Sequence, residues 1–111
     1  MAEILNFREF YQKAPIQINQ RDWSAIQKEE RFIEMFKSCT HWLIALEGSE
    51  MNQRMIHWRV LIFPAEASGS FNYTCPFFKS DFLRLFNDAL ELSKKIEQLA
   101  KEDQLFSIYA N

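Results

Sequence analysis

The feature that most constrains this chain is where its helix and strand breakers fall. In 111 residues there are two glycines and three prolines. Gly48 lies in the polar cluster Glu47–Asn52, and Gly69 lies in Ala67–Ser70. Pro15 follows a helix-like pattern, while Pro64 and Pro76 each follow an apolar run. None interrupts a periodic segment. The chain therefore divides into a few continuous segments joined by short connections, as one compact domain requires. A length of 111 residues fits a single domain spanning residues 1–111, because two cores of half that size would each lack buried area.

Between the breaks, apolar spacing predicts the elements. Ile4, Leu5, Phe7, Phe10 and Tyr11 give a helix over 3–14 that stops before Pro15. Asp22 is placed to cap a second helix over 23–38, whose apolar positions are Trp23, Ile26, Ile33 and Phe36. Residues 40–47 read as a strand, with an extension of the preceding helix as the rival, and Gly48 as the stop in either case. Residues 54–63 alternate Ile56, Trp58, Val60 and Ile62, a strand rich in β-branched residues. Residues 71–75 read as a third strand. Ser80 then caps a long helix over 81–102, and the apolar stretch 105–109 reads as docked on the core, as an edge strand or as a partner contact. The expected fold class is α+β, with helices flanking a three-stranded antiparallel β-meander in the order α-α-β-β-β-α. The long C-terminal helix packs on one face of the sheet.

Strand parity divides the sheet into two faces. Trp42, Ile44 and Leu46 share one side, as do Ile56, Trp58, Val60 and Ile62. Both sets face the same way only if paired residue numbers sum to an even number, and a sum near 98 or 100 puts the loop at Ser49 or Glu50. The other face then carries His41, Leu43, Glu47, His57, Arg59, Leu61 and Phe63, joined by Asn72 and Thr74. That mixture of apolar and polar groups is typical of an interface. We take His41, Leu43, His57, Arg59, Leu61, Asn72 and Thr74 as the candidate binding residues.

Charge and composition exclude several classes. Acids and bases are spread evenly, seven Lys/Arg against eight Asp/Glu in residues 1–55 and six against seven in 56–111, so no cationic stripe suits nucleic acid. The longest apolar run, Trp42–Leu46, is too short to cross a bilayer. Two cysteines, Cys39 and Cys75, make no disulfide framework, and no secretory pattern precedes them, so we expect a cytoplasmic protein with reduced thiols. No cofactor motif is present, because a phosphate-cradling loop needs clustered glycines. His41 and His57 lack metal-ligand spacing, and no catalytic residue stands out. Eleven phenylalanines raise the aromatic share to 15%, more than a small core needs. The expectation is a non-catalytic protein–protein interaction domain of chaperone, inhibitor/immunity or adaptor type, with a protein partner that includes itself as a homodimer. The alternative is a small-ligand-binding protein or small enzyme with an aromatic pocket between sheet and helices.

Overall fold

Alternating β-branched and aromatic residues between positions 41 and 65 form the spine of the fold. The computed structural model describes residues 8–52 and 55–109. Its elements run β1 (Arg8–Gln12), β2 (Ile16–Gln17), α1 (Gln20–Ile26), α2 (Glu30–Met35), β3 (His41–Asn52), β4 (Met55–Ala65), β5 (Phe78–Lys79), α3 (Phe86–Lys101) and a closing 3-10 helix, Leu105–Tyr109. The strands lie in the order β1-β3-β4-β5, all antiparallel, with β2 also paired to β3. At about 3.3 Å per residue, the 12 residues of β3 span about 40 Å. This one hairpin therefore sets the long dimension of the molecule, 44 Å.

The α+β class and the C-terminal helix packed on the sheet are as the sequence implies. The strand reading of 40–47 also holds, and both hairpin strands are longer than expected. The parity is even, but the register is displaced. Leu46 pairs with Val60 and Glu47 with Arg59, whereas a loop at Ser49 or Glu50 would have set Leu46 opposite Asn52 or Arg54. Gly48 does not stop β3. It lies opposite Trp58, and a Cβ there would sit 2.6 Å from Trp58 Cζ3. The glycine serves close approach of an indole ring, and a turn is not what it provides. Gly69 does serve a turn: its φ of 96° lies in the left-handed region, and its N–H donates to the Glu66 carbonyl at 2.8 Å.

Five local expectations are corrected. Residues 8–12, inside the expected helix 3–14, form an edge strand instead, while the earlier part of that segment lies outside the described residues. A strand sends Phe10 and Tyr11 to opposite faces, Phe10 onto Phe63 and Phe71 and Tyr11 onto Trp58; a helix would have kept them together. The expected helix 23–38 is two short helices. The break at 27–29 resets the phase, so Ile26, Phe32 and Phe36 are buried while Ile33 is exposed. Asp22 is not the cap: α1 follows Asn19, and Asp22 is buried in its first turn.

The third strand is Phe78–Lys79, not 71–75. Asn72 Oδ1 accepts from the Thr74 N–H and hydroxyl at 3.0 and 2.7 Å, a side-chain turn that bends the chain out of an extended path. Ser80 does not cap α3 either. Its Oγ accepts the Val60 N–H at 2.9 Å, and Leu83 exchanges backbone bonds with Trp58 before the helix starts.

One face of the sheet carries the main core. Trp42, Ile44, Leu46, Val60 and Ile62 pack there against Ile26, Phe32, Phe36, Phe77, Ile96 and Leu105. Helix α3 approaches closely because its buried stripe is Ala89, Ser93, Ile96 and Ala100, mostly small residues. The stretch 105–109 docks on this core, with Leu105 fully buried. The second face holds a smaller cluster of Leu43, Ala45, Leu61, Phe63 and Ala65, packed against Phe10 and Phe71.

Candidate functional site

The second sheet face changes character along the hairpin. At the end near Ala65 it is sealed. The loop between β4 and β5 crosses it, and Phe71 and Tyr73 meet Phe63 with ring centroids at 4.7 and 6.0 Å. Phe10 comes from the edge strand to stack on Phe71 at 6.2 Å. Leu43 and Leu61 lie beneath and are 0% and 3% exposed.

A row of polar groups ends the sealed part. Glu47 and Arg59 are cross-strand partners. Glu47 is only 4% exposed, so its carboxylate must be satisfied within the protein. Arg59 Nε donates to Oε1 at 2.8 Å, and the Tyr73 hydroxyl donates to Oε2 at 2.9 Å. The Arg59 guanidinium also lies over the Phe82 ring, 4.6 Å from its centroid, a cation–π contact. Beyond this row the face opens. His57 and its partner Ser49 are half-exposed, and Met55 is exposed.

The structure therefore splits the residues singled out from sequence. Arg59 and His57 stand together on β4. Leu43 and Leu61 are under the loop. Asn72 and Thr74 are exposed on the loop itself. His41 lies at the far end of the hairpin, opposite Ala65, with Nδ1 2.8 Å from the Thr40 hydroxyl; it is not a neighbour of His57. Among the described residues, no group of three His, Cys, Asp or Glu side chains could hold a metal ion. Sequence reasoning missed Tyr73 and Phe82 as parts of the polar row. Their signal was no more than the aromatic-rich run Phe71–Phe82, whose spacing does not say where a loop will lie.

Three clefts stand out on the surface of the described residues. One of about 360 Å³ is lined by Arg31, Glu34, Met35, Cys39, Pro64, Asn72 and Cys75. A second, of about 440 Å³, shares Cys39 and Asn72 with it and adds Glu66, Ser70, Phe71 and Tyr73. The third, of about 370 Å³, lies between α1 and the closing helix. None of the three is lined by His41, His57 or Arg59. Burial pushes the Cys39 thiol above its ordinary value, and the Glu66 charge adds to the effect, so this cleft does not activate Cys39 as a nucleophile. The aromatic rings between sheet and helices are packed on one another. Phe36 and Phe77 meet Trp42 at 5.3 and 5.0 Å, and Phe32 meets Phe77 at 5.3 Å.

No family model, no curated protein and no solved structure matches this chain. No helix among the described residues is long and apolar enough to cross a membrane.

Proposed function

We propose that this chain is a non-catalytic protein–protein interaction domain, of chaperone, inhibitor or adaptor type, that works through the open half of its second sheet face. The carrying observation is the boundary at Glu47–Arg59: on one side a loop seals the face, and on the other His57, Ser49 and Met55 are left half-exposed or exposed. A sheet face that sets an exposed methionine beside a histidine and a serine suits a protein surface better than a small molecule, because none of the three clefts is lined by these residues. Self-association as a homodimer belongs to the same reading.

The test is site-specific photo-cross-linking in cells. A benzophenone side chain at position 57 is compared with one at position 94, an exposed position on α3. The reading expects a discrete protein adduct from position 57 that position 94 does not give. Equal or absent adducts from both would remove this face as the working surface.

A further inference from the structure

Strand β1 is the edge of the sheet, and its backbone polarity can be assigned residue by residue. The Lys13 N–H donates to the Ile44 carbonyl at 3.0 Å, and β1 continues that register, with Tyr11 opposite Leu46 and Glu9 opposite Gly48. In an antiparallel pair, alternate residues turn both backbone groups toward the partner. Glu9, Tyr11 and Lys13 therefore bond inward to β3, and Arg8, Phe10 and Gln12 turn theirs outward. Among the described residues, no strand pairs with that outer edge. It carries no proline and no bulge, two of the devices that block an edge.

We infer that this edge is a self-association site, where β1 pairs antiparallel with β1 of a second copy to make one continuous sheet. The inference rests on the reading of the domain as an interaction module. Two-fold symmetry limits the register, because each residue that turns its backbone groups outward must face another that does so. Phe10 opposite Phe10 is the register that uses all five residues. It also sets Arg8 opposite Gln12 and forms up to about six backbone hydrogen bonds.

The side chains fit a second copy of this chain in particular. In this register Glu9 stands opposite Tyr11 of the partner, on the same face. That pair is already compatible within one protomer, where the Tyr11 hydroxyl donates to Glu9 Oε1. Tyr11 is 50% exposed while its ring stacks on Trp58, so its hydroxyl stays accessible to the partner's Glu9. On the opposite face Phe10 meets Phe10. Each ring is already stacked on Phe71 and set edge-on to Tyr73 at 5.5 Å, so pairing joins two aromatic clusters across the axis. An unrelated peptide would supply the backbone bonds without these reciprocal pairs.

The experiment is sedimentation of the full chain in the analytical ultracentrifuge over a concentration series, with Gln12→Pro beside the parent. Proline at position 12 removes an N–H that the protomer does not use, and proline is tolerated on a sheet edge when its nitrogen faces out. The expected result is a monomer–dimer equilibrium that Gln12→Pro weakens by about tenfold or more, since each dimer loses two hydrogen bonds. Amide hydrogen exchange on the parent chain gives a readout that needs no variant. Phe10 and Gln12 should gain protection as concentration rises, while Tyr11 is protected throughout. A dimer that Gln12→Pro leaves intact, with Phe10 and Gln12 still exchanging freely, overturns the edge assignment and leaves self-association standing. A strict monomer overturns the edge and the homodimer together, while the cross-linking result at position 57 still decides the partner-binding face.

Discussion

Asp22 and Asp103 exchange caps across the two ends of the chain. The Asp103 carboxylate accepts the N–H groups of Arg21 and Asp22, both at 2.8 Å. The Asp22 carboxylate in turn accepts the N–H groups of Leu105 and Phe106, both at 3.0 Å. Asp103 thus satisfies two first-turn donors of α1, and Asp22 satisfies the first two donors of the closing helix, groups that those helices leave unpaired. Asp103 adopts a φ of 62° to do so, a conformation that aspartate tolerates better than most residues.

Breaking this clasp should be costly. Asp22→Ala leaves the buried Leu105 N–H without an acceptor, and we expect a loss of about 1–3 kcal/mol, read from urea unfolding. Asp22→Asn keeps one acceptor oxygen and should lose less. Equal stability of Asp22→Ala and the parent would show that the clasp is incidental.

The same residue gives a pH signature. Burial raises the Asp22 carboxyl above its ordinary value of 3.8, Asp103 adds to the rise, and the Leu105 and Phe106 N–H groups oppose it. The buried Trp42 indole N–H also pulls it down. A raised folded-state value means the folded protein binds this proton more tightly than the unfolded chain. The stabilising contribution is then complete below 3.8 and is lost as pH rises through the folded value. Carbon-detected NMR titration should place the Asp22 midpoint above 3.8. The stability gap between parent and Asp22→Asn should shift toward the parent as pH falls through that window, and a midpoint below 3.8 would contradict the burial argument.

Gly48 and Trp58 should behave as one unit. Gly48→Ala places a Cβ within 2.6–2.9 Å of three ring atoms of Trp58, so the ring must move off Tyr11 and Phe86, which it meets at 6.2 and 4.8 Å. We expect a loss of about 1–3 kcal/mol with a change in tryptophan fluorescence. In a Trp58→Ala background the same substitution should be nearly neutral, because the clash is gone. An equal penalty in both backgrounds would show that the ring is not what demands glycine.

The polar row should show a graded response. Arg59→Ala removes the charge partner of a buried carboxylate and should destabilise by about 2 kcal/mol, below the range for fully buried pairs because the Arg59 side chain is 25% exposed. Tyr73→Phe removes one hydrogen bond to Glu47 and should lose about 1 kcal/mol. Thermal melts decide the order; a larger loss for Tyr73→Phe would place the weight of the row on the loop.

The two thiols should separate in reactivity. Cys75 is exposed, whereas Cys39 is half-buried with its thiol held above the ordinary value. Since the thiolate is the reactive form, a disulfide reagent near neutral pH should modify Cys75 first and Cys39 more slowly. Mass spectrometry of the first adduct tests this, and faster labelling of Cys39 would contradict its buried placement.

How much of this was legible depended on the range of the interaction. The two faces of the hairpin could be separated in advance because alternation is built into a strand. The Trp42/Trp58 side and the His57/Arg59 side therefore emerged correctly even with the turn misplaced. The candidate site was legible only in part. Arg59 and His57 were identifiable as neighbours on one face, but the burial of Leu43 and Leu61 depends on a loop whose path follows from the Asn72 side-chain turn and the Phe71–Phe63 contact.

By itself, then, the sequence determined the α+β class, the hairpin at its centre and the even parity that gives the sheet a core face. These follow from residues two to four apart, whose spacing is a local property. The tertiary structure decided the rest. Residues 8–12 became a strand because β3 offered an edge, Gly48 became part of a strand because Trp58 lies across it, and Asp22 became a buried clasp because Asp103 arrives from the other end of the chain. In each case the deciding partner is remote in sequence, and local propensity is too weak to resist it.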